Sequence, residues 1–327
     1  PDGSAKEDTG GLSKAYITQW SYGITESLNL FVPRLFGGAS QENLGEDSKS
    51  YNYLIDKGLP RSSALNFVSG LPLYWGEQPI TSGPAYLGAV IFFLFVLGLF
   101  LVKGKHKWWL LIGSLVSLVL SWGKNFSALT DFMIDYFPLY DKFRAVSSIQ
   151  IILELCVPIL AILALKKLFM DKVPQADKIK SLTLAVGTVF GLGVLLFVFK
   201  GAFNFVGAND DNLRMTGLEE LPEMLRLDRK SVYTSDLLRS LGYALVTSVL
   251  IWFYLKEKLK MNFVILAIGV LVVVDLVGVD LRYVNNDNFV SKRKMLEPFQ
   301  ESAADKLIAK DNGVFRVFDQ TDGFDSA

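Results

Sequence analysis

Three stretches hold side chains whose types and spacing could do chemistry. In NFSALTDFMIDYFPLYDKFRAVSS (125–148), Asp131 and Asp135 stand one helical turn apart, and Lys142 and Arg144 follow. Carboxylates at i and i+4 share a helix face, and neighbouring cations offer ligands to an anion such as phosphate. The other two stretches, WSYGITESLNLFVPRLFGG (20–38) and LPLYWGEQPITSGP (71–84), combine Trp, Tyr, Glu, Gln and Arg. A flat aromatic face can take the C–H side of a sugar ring while amides and carboxylates take its hydroxyls. Trp20, Glu26, Arg34, Trp75, Glu77 and Gln78 are the candidates there. The competing reading for all of these is an aromatic belt, snorkelling anchors and ordinary loop polarity.

The elements that must position them are apolar helices. Of 327 residues 51% are hydrophobic, and charges are sparse in six apolar windows: 84–102, 107–122, 147–165, 181–203, 236–255 and 261–279. Each is about long enough to cross a hydrocarbon layer of roughly 30 Å. The sequence therefore predicts an all-α polytopic bundle of about six transmembrane helices over 84–279. The short connections 103–107, 166–180 and 256–260 are dense in lysine, which places them in the cytoplasm of a bacterial inner membrane. The longer connections 123–146 and 204–235, the leading region 1–83 and the tail 280–327 then share the extracytoplasmic side.

Within 125–140 the apolar residues form one stripe with Asp131 and Asp135 opposite, which predicts an amphipathic helix lying in the membrane interface. The interval 39–61 reads as a flexible surface excursion and 204–235 as a solvated helical cap. The tail from 292, with the strand-like VFRVFD (314–319), reads as the start of an external domain. Glu154 and Asp275 fall within spans, where a carboxylate serves either a proton or substrate site or an interhelical hydrogen bond.

Lys plus Arg and Asp plus Glu balance at 33 each, so net charge points to no nucleic acid. A single Cys156 and a single His106 exclude a disulfide framework and a Cys/His metal site. No phosphate-binding glycine motif occurs, and no signal peptide opens the chain. Both ends read as internal to a longer protein.

The blocks QWSYGITESLNLFVPRLFGGAS, LPLYWGEQPITSGPAYLGA, LSWGKNF with DYFPLYDKFRAVSS, and VDLVGVDLRYVN resemble the YfhO-type bacterial membrane proteins. The resemblance runs over nearly the whole chain. It implies the GT-C architecture of membrane glycosyltransferases, whose acidic catalytic motif lies in a first external loop outside these residues. The implied reaction moves a sugar from a polyprenyl-phosphate carrier to an envelope glycopolymer or lipid on the outer face. Lys124, Lys142 and Arg144 would then serve the phosphate. Asp131, Asp135, Glu26 or Glu77 would serve the acceptor hydroxyl or a divalent cation, the one cofactor the reaction allows. The alternatives are a flippase for the lipid-linked sugar and a non-catalytic envelope assembly subunit.

Overall fold

Runs of aliphatic and aromatic residues without charges have no polar face to turn to water, and here they fold as helices. The computed structural model describes residues 11–214, 217–310 and 313. Among them the only β-type pairing is an isolated antiparallel bridge between Glu42 and Leu71. The chain divides into two units, Pro1–Tyr283 and Val284–Ala327. The first contains α1 (Lys14–Ile17), α2 (Lys49–Asp56), α3 (Arg61–Val68), α4 (Ala89–Leu101), α5 (Lys105–Ser121), α6 (Ser127–Tyr136), α7 (Gln150–Phe169), α8 (Gln175–Val198), α9 (Asp210–Arg214), α10 (Leu221–Leu255) and α11 (Met261–Tyr283). The second contains α12 (Lys292–Leu296) and α13 (Ala303–Ile308), both without buried residues. The VFRVFD segment lies outside the described residues.

Four helical stretches are long and apolar enough to cross a membrane: 146–169, 175–202, 221–255 and 261–288. A fifth is available if α5 and α6 count as one broken span, for they meet at 110°. The break falls at Gly123, whose φ of +46° suits glycine. Its carbonyl accepts the hydroxyl of Thr130, which turns α6 away from the bundle. The expected six spans are thus four or five by length. The first expected span, 84–102, is the reason for part of the difference. Its helix α4 has only 13 residues, against about 20 for a full crossing. Pro84 and Gly88 (φ +91°) keep residues 84–88 out of the helix. The buried Asp275 of α11 marks its start, accepting the N–H groups of Ala89 (2.7 Å) and Val90 (3.3 Å) and the hydroxyl of Tyr86. Asp275 is itself paired with Arg239 at 3.0 Å.

Although short, α4 is the centre of the bundle. Ala89, Val90, Phe93, Leu94, Leu97 and Leu101 are buried, and α7, α8, α10 and α11 pack around it. At Gly98 the backbones of α4 and α7 approach so closely that a Cβ would lie 2.9 Å from the Leu160 carbonyl oxygen. Close backbone approach at small residues is how apolar helices gain packing where lipid offers no hydrophobic drive.

At 35 residues α10 is about 52 Å long at 1.5 Å per residue, well beyond the roughly 30 Å of a hydrocarbon layer. Its first turns carry a cap built from 11–83 and 203–220. This corrects two expectations. The segment 204–235 is not a solvated cap, because Leu221, Leu225, Asp228, Arg229 and Tyr233 are buried. The interval 39–61 is not a loose excursion either. Its helix α2 buries Tyr51 and Leu54 in a cluster with Val68, Leu73 and Leu221, and Asp228 of α10 accepts the N–H groups of Lys49 (2.7 Å) and Ser50 (2.9 Å) at its start.

Candidate functional site

The cap encloses a cleft of about 600 Å³ where four chain segments meet: Gly23–Thr25, Trp75–Glu77, Asn125, and Ala202–Val206, with Phe36 at its base. Its aromatic wall is continuous. Phe36 stacks on Trp75 at 4.2 Å between centroids, and Phe203 meets both rings edge-on at 5.9 and 5.8 Å. The indole Nε1 of Trp75 is buried without a hydrogen-bond partner, which leaves an unused donor beside the cleft. Polar groups supply the rest of the lining. Asn125 donates its amide to the Tyr22 carbonyl at 2.9 Å, so its side-chain oxygen stays available. Asn204 accepts from the Val206 N–H at 3.1 Å, so its amide hydrogens stay available. Glu77, exposed, is the one carboxylate in this lining.

Glu26 lies directly behind that surface, 1% exposed. It accepts hydrogen bonds from the backbone N–H groups of Gly23 (3.0 Å) and Glu77 (3.2 Å) and from the Tyr74 hydroxyl (2.5 Å). The Tyr74 oxygen in turn accepts the N–H of Gln78 at 3.0 Å. One side chain therefore ties two cleft walls together. Burial pushes the Glu26 carboxyl above the ordinary carboxylate range, and the donors from Tyr74, Gly23 and Glu77 pull only part of the way back. Burial and the neighbouring Glu26 likewise push Tyr74 far above the usual phenol range. At Gly76 a Cβ would lie 2.4 Å from the Tyr74 hydroxyl, so only glycine lets the WGE turn close over this pair.

A second buried group fixes the opposite walls. Arg229, fully buried, pairs with Asp210 through two hydrogen bonds of 2.7 and 2.9 Å. It also donates to the carbonyls of Leu73 (3.1 Å), Phe205 (2.8 Å) and Pro72 (2.6 Å). The segments that deliver Trp75 and Phe203–Val206 are thus both held by α10.

The remaining candidates are placed elsewhere. Arg34 does not face the cleft. Its guanidinium binds both carboxylate oxygens of Asp236 at 3.0 Å and Glu42 at 2.9 Å, and Asp236 also pairs with Arg282 at 2.8 Å. This is a structural lock between the cap, α10 and α11. Gln78 supports the pair behind the cleft, donating its backbone N–H to the Tyr74 oxygen and a side-chain hydrogen bond to Glu26. Asp131 pairs with Lys14 at 2.5 Å and Asp135 is exposed, and neither lines the cleft. Lys142 pairs with Asp141 at 2.9 Å. Arg144 is exposed and lies over the rings of Tyr16 (5.3 Å) and Trp20 (5.4 Å), donating to the Tyr16 hydroxyl at 2.7 Å. Lys124, next to the cleft residue Asn125, is exposed. Among the described residues neither Arg144 nor Lys124 has a carboxylate partner within ion-pair distance. No three acidic, His or Cys side chains converge on a metal site among the described residues. The divalent cation therefore finds no ligand set here, and no step is routed through one.

Sequence reasoning missed Phe36, Phe203, Asn125 and Asn204 in the cleft, and Tyr74, Asp210 and Arg229 behind it. Phe36, Tyr74 and Asn125 lie within the blocks singled out by residue type, LNLFVPRLFGG, LPLYWGEQ and LSWGKNF, whereas Phe203 and Asn204 carried no such signal. Compared with known protein families, characterised proteins and solved structures, the chain finds no match.

Proposed function

We propose that this chain is part of a membrane-embedded transferase that moves a sugar from a polyprenyl-phosphate carrier to an envelope glycopolymer or lipid on the outer face of a bacterial inner membrane. The observation that carries this reading is the cleft itself: an aromatic wall of Phe36, Trp75 and Phe203 beside the available side-chain oxygen of Asn125 and amide hydrogens of Asn204, with the single carboxylate Glu77 at its lip. Such a lining suits a polyhydroxylated ring better than an apolar or strongly charged ligand. The resemblance to YfhO-type proteins agrees with it.

In the step proposed, an acceptor hydroxyl attacks the anomeric carbon. The bond from that carbon to the phosphate oxygen breaks, and the phosphate leaves with the electron pair. The hydroxyl proton passes to a carboxylate, and Glu77 is the residue placed to take it. Glu26 is committed to the backbone donors behind the cleft and acts as a positioning residue. Lys124 and Arg144, two candidate cations without an acidic partner within ion-pair distance among the described residues, suit the leaving phosphate.

The test is Glu77→Gln in the full-length protein, assayed for sugar transfer to its envelope acceptor. Loss of a general base lowers the rate about 10²- to 10⁴-fold. Undiminished transfer removes Glu77 from the reaction. Full transfer in a Glu77→Gln, Trp75→Ala double variant removes the cleft as well.

A second reading has one observation of its own. The short, capped α4 and the 110° break between α5 and α6 are discontinuities of the kind found in transporters. Movement of lipid-linked sugar across a proteoliposome bilayer, without transfer to an acceptor, would support that reading.

A further inference from the structure

Charge is divided unevenly between the two ends of the bundle. The connections 103–107, 166–180 and 256–260 hold eleven lysines, no arginine and three acids, although the whole chain carries as many acids as bases. The structure gathers these three connections at one end. Lys103 of the first reaches Asp177 of the second at 3.5 Å, and the Gln175 side chain of the second donates to the Leu255 carbonyl beside the third. The rings of Phe169 and Tyr254 meet there at 4.7 Å. Lys103–Asp177 and Lys167–Asp171 are the ion pairs formed at this end. Nine of the eleven lysines therefore have no acidic partner within ion-pair distance among the described residues. Towards the cap the arrangement is the opposite: Arg34, Arg229, Arg239 and Arg282 are each spent on a carboxylate of the chain itself.

We propose that the lysine end of the bundle is a binding face for the headgroups of anionic phospholipids in the leaflet it borders. Eleven lysines against three acids leave an excess of eight positive charges, and the chain offers no further counter-charge there. Exposed apolar side chains beside the lysines point to a lipid as its source. Trp108, Trp109, Met170 and Trp252 are all exposed, with Lys107 at 4.9 Å from the Trp108 ring and Lys256 at 5.8 Å from the Trp252 ring. A soluble polyanion would meet the ammonium groups and leave these side chains in water. A phospholipid meets both, its phosphate on the lysines and its upper acyl chain on the rings. Stretches long enough to span begin or end at two of the three connections, which sets the lysines at the level of the phosphates. Lysine suits that partner. Its flexible point charge can follow a fluid array of phosphates, whereas the planar fork of arginine suits one fixed carboxylate. Each lysine at an anionic surface strengthens binding about fivefold.

The experiment reconstitutes the full-length protein in nanodiscs of phosphatidylcholine and phosphatidylglycerol, with a photoreactive group near the headgroup of one lipid or the other. Adducts are mapped by mass spectrometry. At equal amounts of the two labelled lipids, phosphatidylglycerol adducts should exceed phosphatidylcholine adducts at least about tenfold over 103–109, 166–180 and 252–260. Residues 277–281, at the far end of α11, should show no such preference. The triple variant Lys105→Gln, Lys172→Gln, Lys260→Gln removes three exposed, unpaired lysines, and should lower the ratio at least about fivefold. The matching triple change to arginine keeps the charge and should keep the ratio. Equal labelling by the two lipids, a ratio unchanged in the glutamine variant, or an equal loss in the arginine variant would each overturn the proposal. Capture of heparin by the protein in phosphatidylcholine nanodiscs, without any lipid preference, would overturn it in favour of a soluble partner. The readout is a lipid adduct, so it stands or falls independently of sugar transfer.

Discussion

Replacing Arg229 by methionine keeps most of its volume and removes all five of its hydrogen bonds. The structure lets the consequence be worked out. Asp210, 1% exposed, is left as a buried carboxylate with only the Gly207 N–H (3.1 Å) as a donor. The carbonyls of Pro72, Leu73 and Phe205 each lose the arginine donor. Breaking a buried ion pair by removing one partner costs about 3–5 kcal/mol. At 1.4 kcal/mol per factor of ten, this corresponds to local opening about a hundredfold to a few thousandfold more frequent. Hydrogen–deuterium exchange in lipid nanodiscs is the suitable assay, because it reports segments 72–75 and 203–210 separately from the apolar helices. Both should exchange faster in Arg229→Met. The bundle around Phe93 and Leu97 should not change. The double variant Arg229→Met, Asp210→Leu should recover part of the loss, since the unpaired charge is gone. Less than about fivefold acceleration in Arg229→Met, or a double variant no better than the single one, would refute the claim that this pair holds the cleft walls.

Two further perturbations test other parts of the reasoning. Glu26 has a carboxyl pushed up by burial, so its contribution to stability is fully present below the ordinary carboxylate value of about 4.3 and is lost as pH rises through the folded-state value. Glu26→Gln should flatten that decline, seen as a melting temperature in detergent that falls less than wild type between about pH 4 and pH 8, whereas Glu26→Ala should lower it at every pH by stranding three donors. In α4, Gly98→Val would press a side chain onto the Leu160 carbonyl, 2.9 Å from the nearest Cβ position, and should cost about 1–3 kcal/mol in a thermal melt. Gly187→Ala on α8, where nothing lies within 4 Å, should be neutral or slightly stabilising.

The apolar helices were legible because burial in lipid demands long charge-free runs, and such runs can be read directly. Helix ends were not. Residues 84–88 are apolar enough to extend α4, yet Pro84, Gly88 and the distant Asp275 start the helix at Ala89. The first turns of α10 read as part of a solvated helical cap for a similar reason. Their acids and bases nearly cancel, and local composition does not reveal that Asp228 caps α2 or that Arg229 reaches Asp210 and residues 72–73. The cleft was half legible. Trp75 and Glu77 stood out by type, whereas Phe203 and Asn204 enter it only because Arg229 and Tyr233 bring a segment more than 120 positions away against the WGE turn. The resemblance of the GKNF–DKFR block pointed to Asp131 and Asp135, and the chain spends Asp131 on Lys14 instead.

The placement of charge gives these observations a common logic. Within the first unit the buried carboxylates are each met by a donor from a remote segment: Glu26 by Tyr74 and Glu77, Asp210 and Asp228 across the cap, Asp236 by Arg34 and Arg282, Asp275 by Arg239 and Tyr86. Each such contact is worth little until the helices it joins are in place, and leaving it unmade in an apolar surround is costly. The cap and the bundle are therefore coupled through α10, which carries Asp228, Arg229, Asp236 and Arg239 within three to four turns and no charge between 240 and 255.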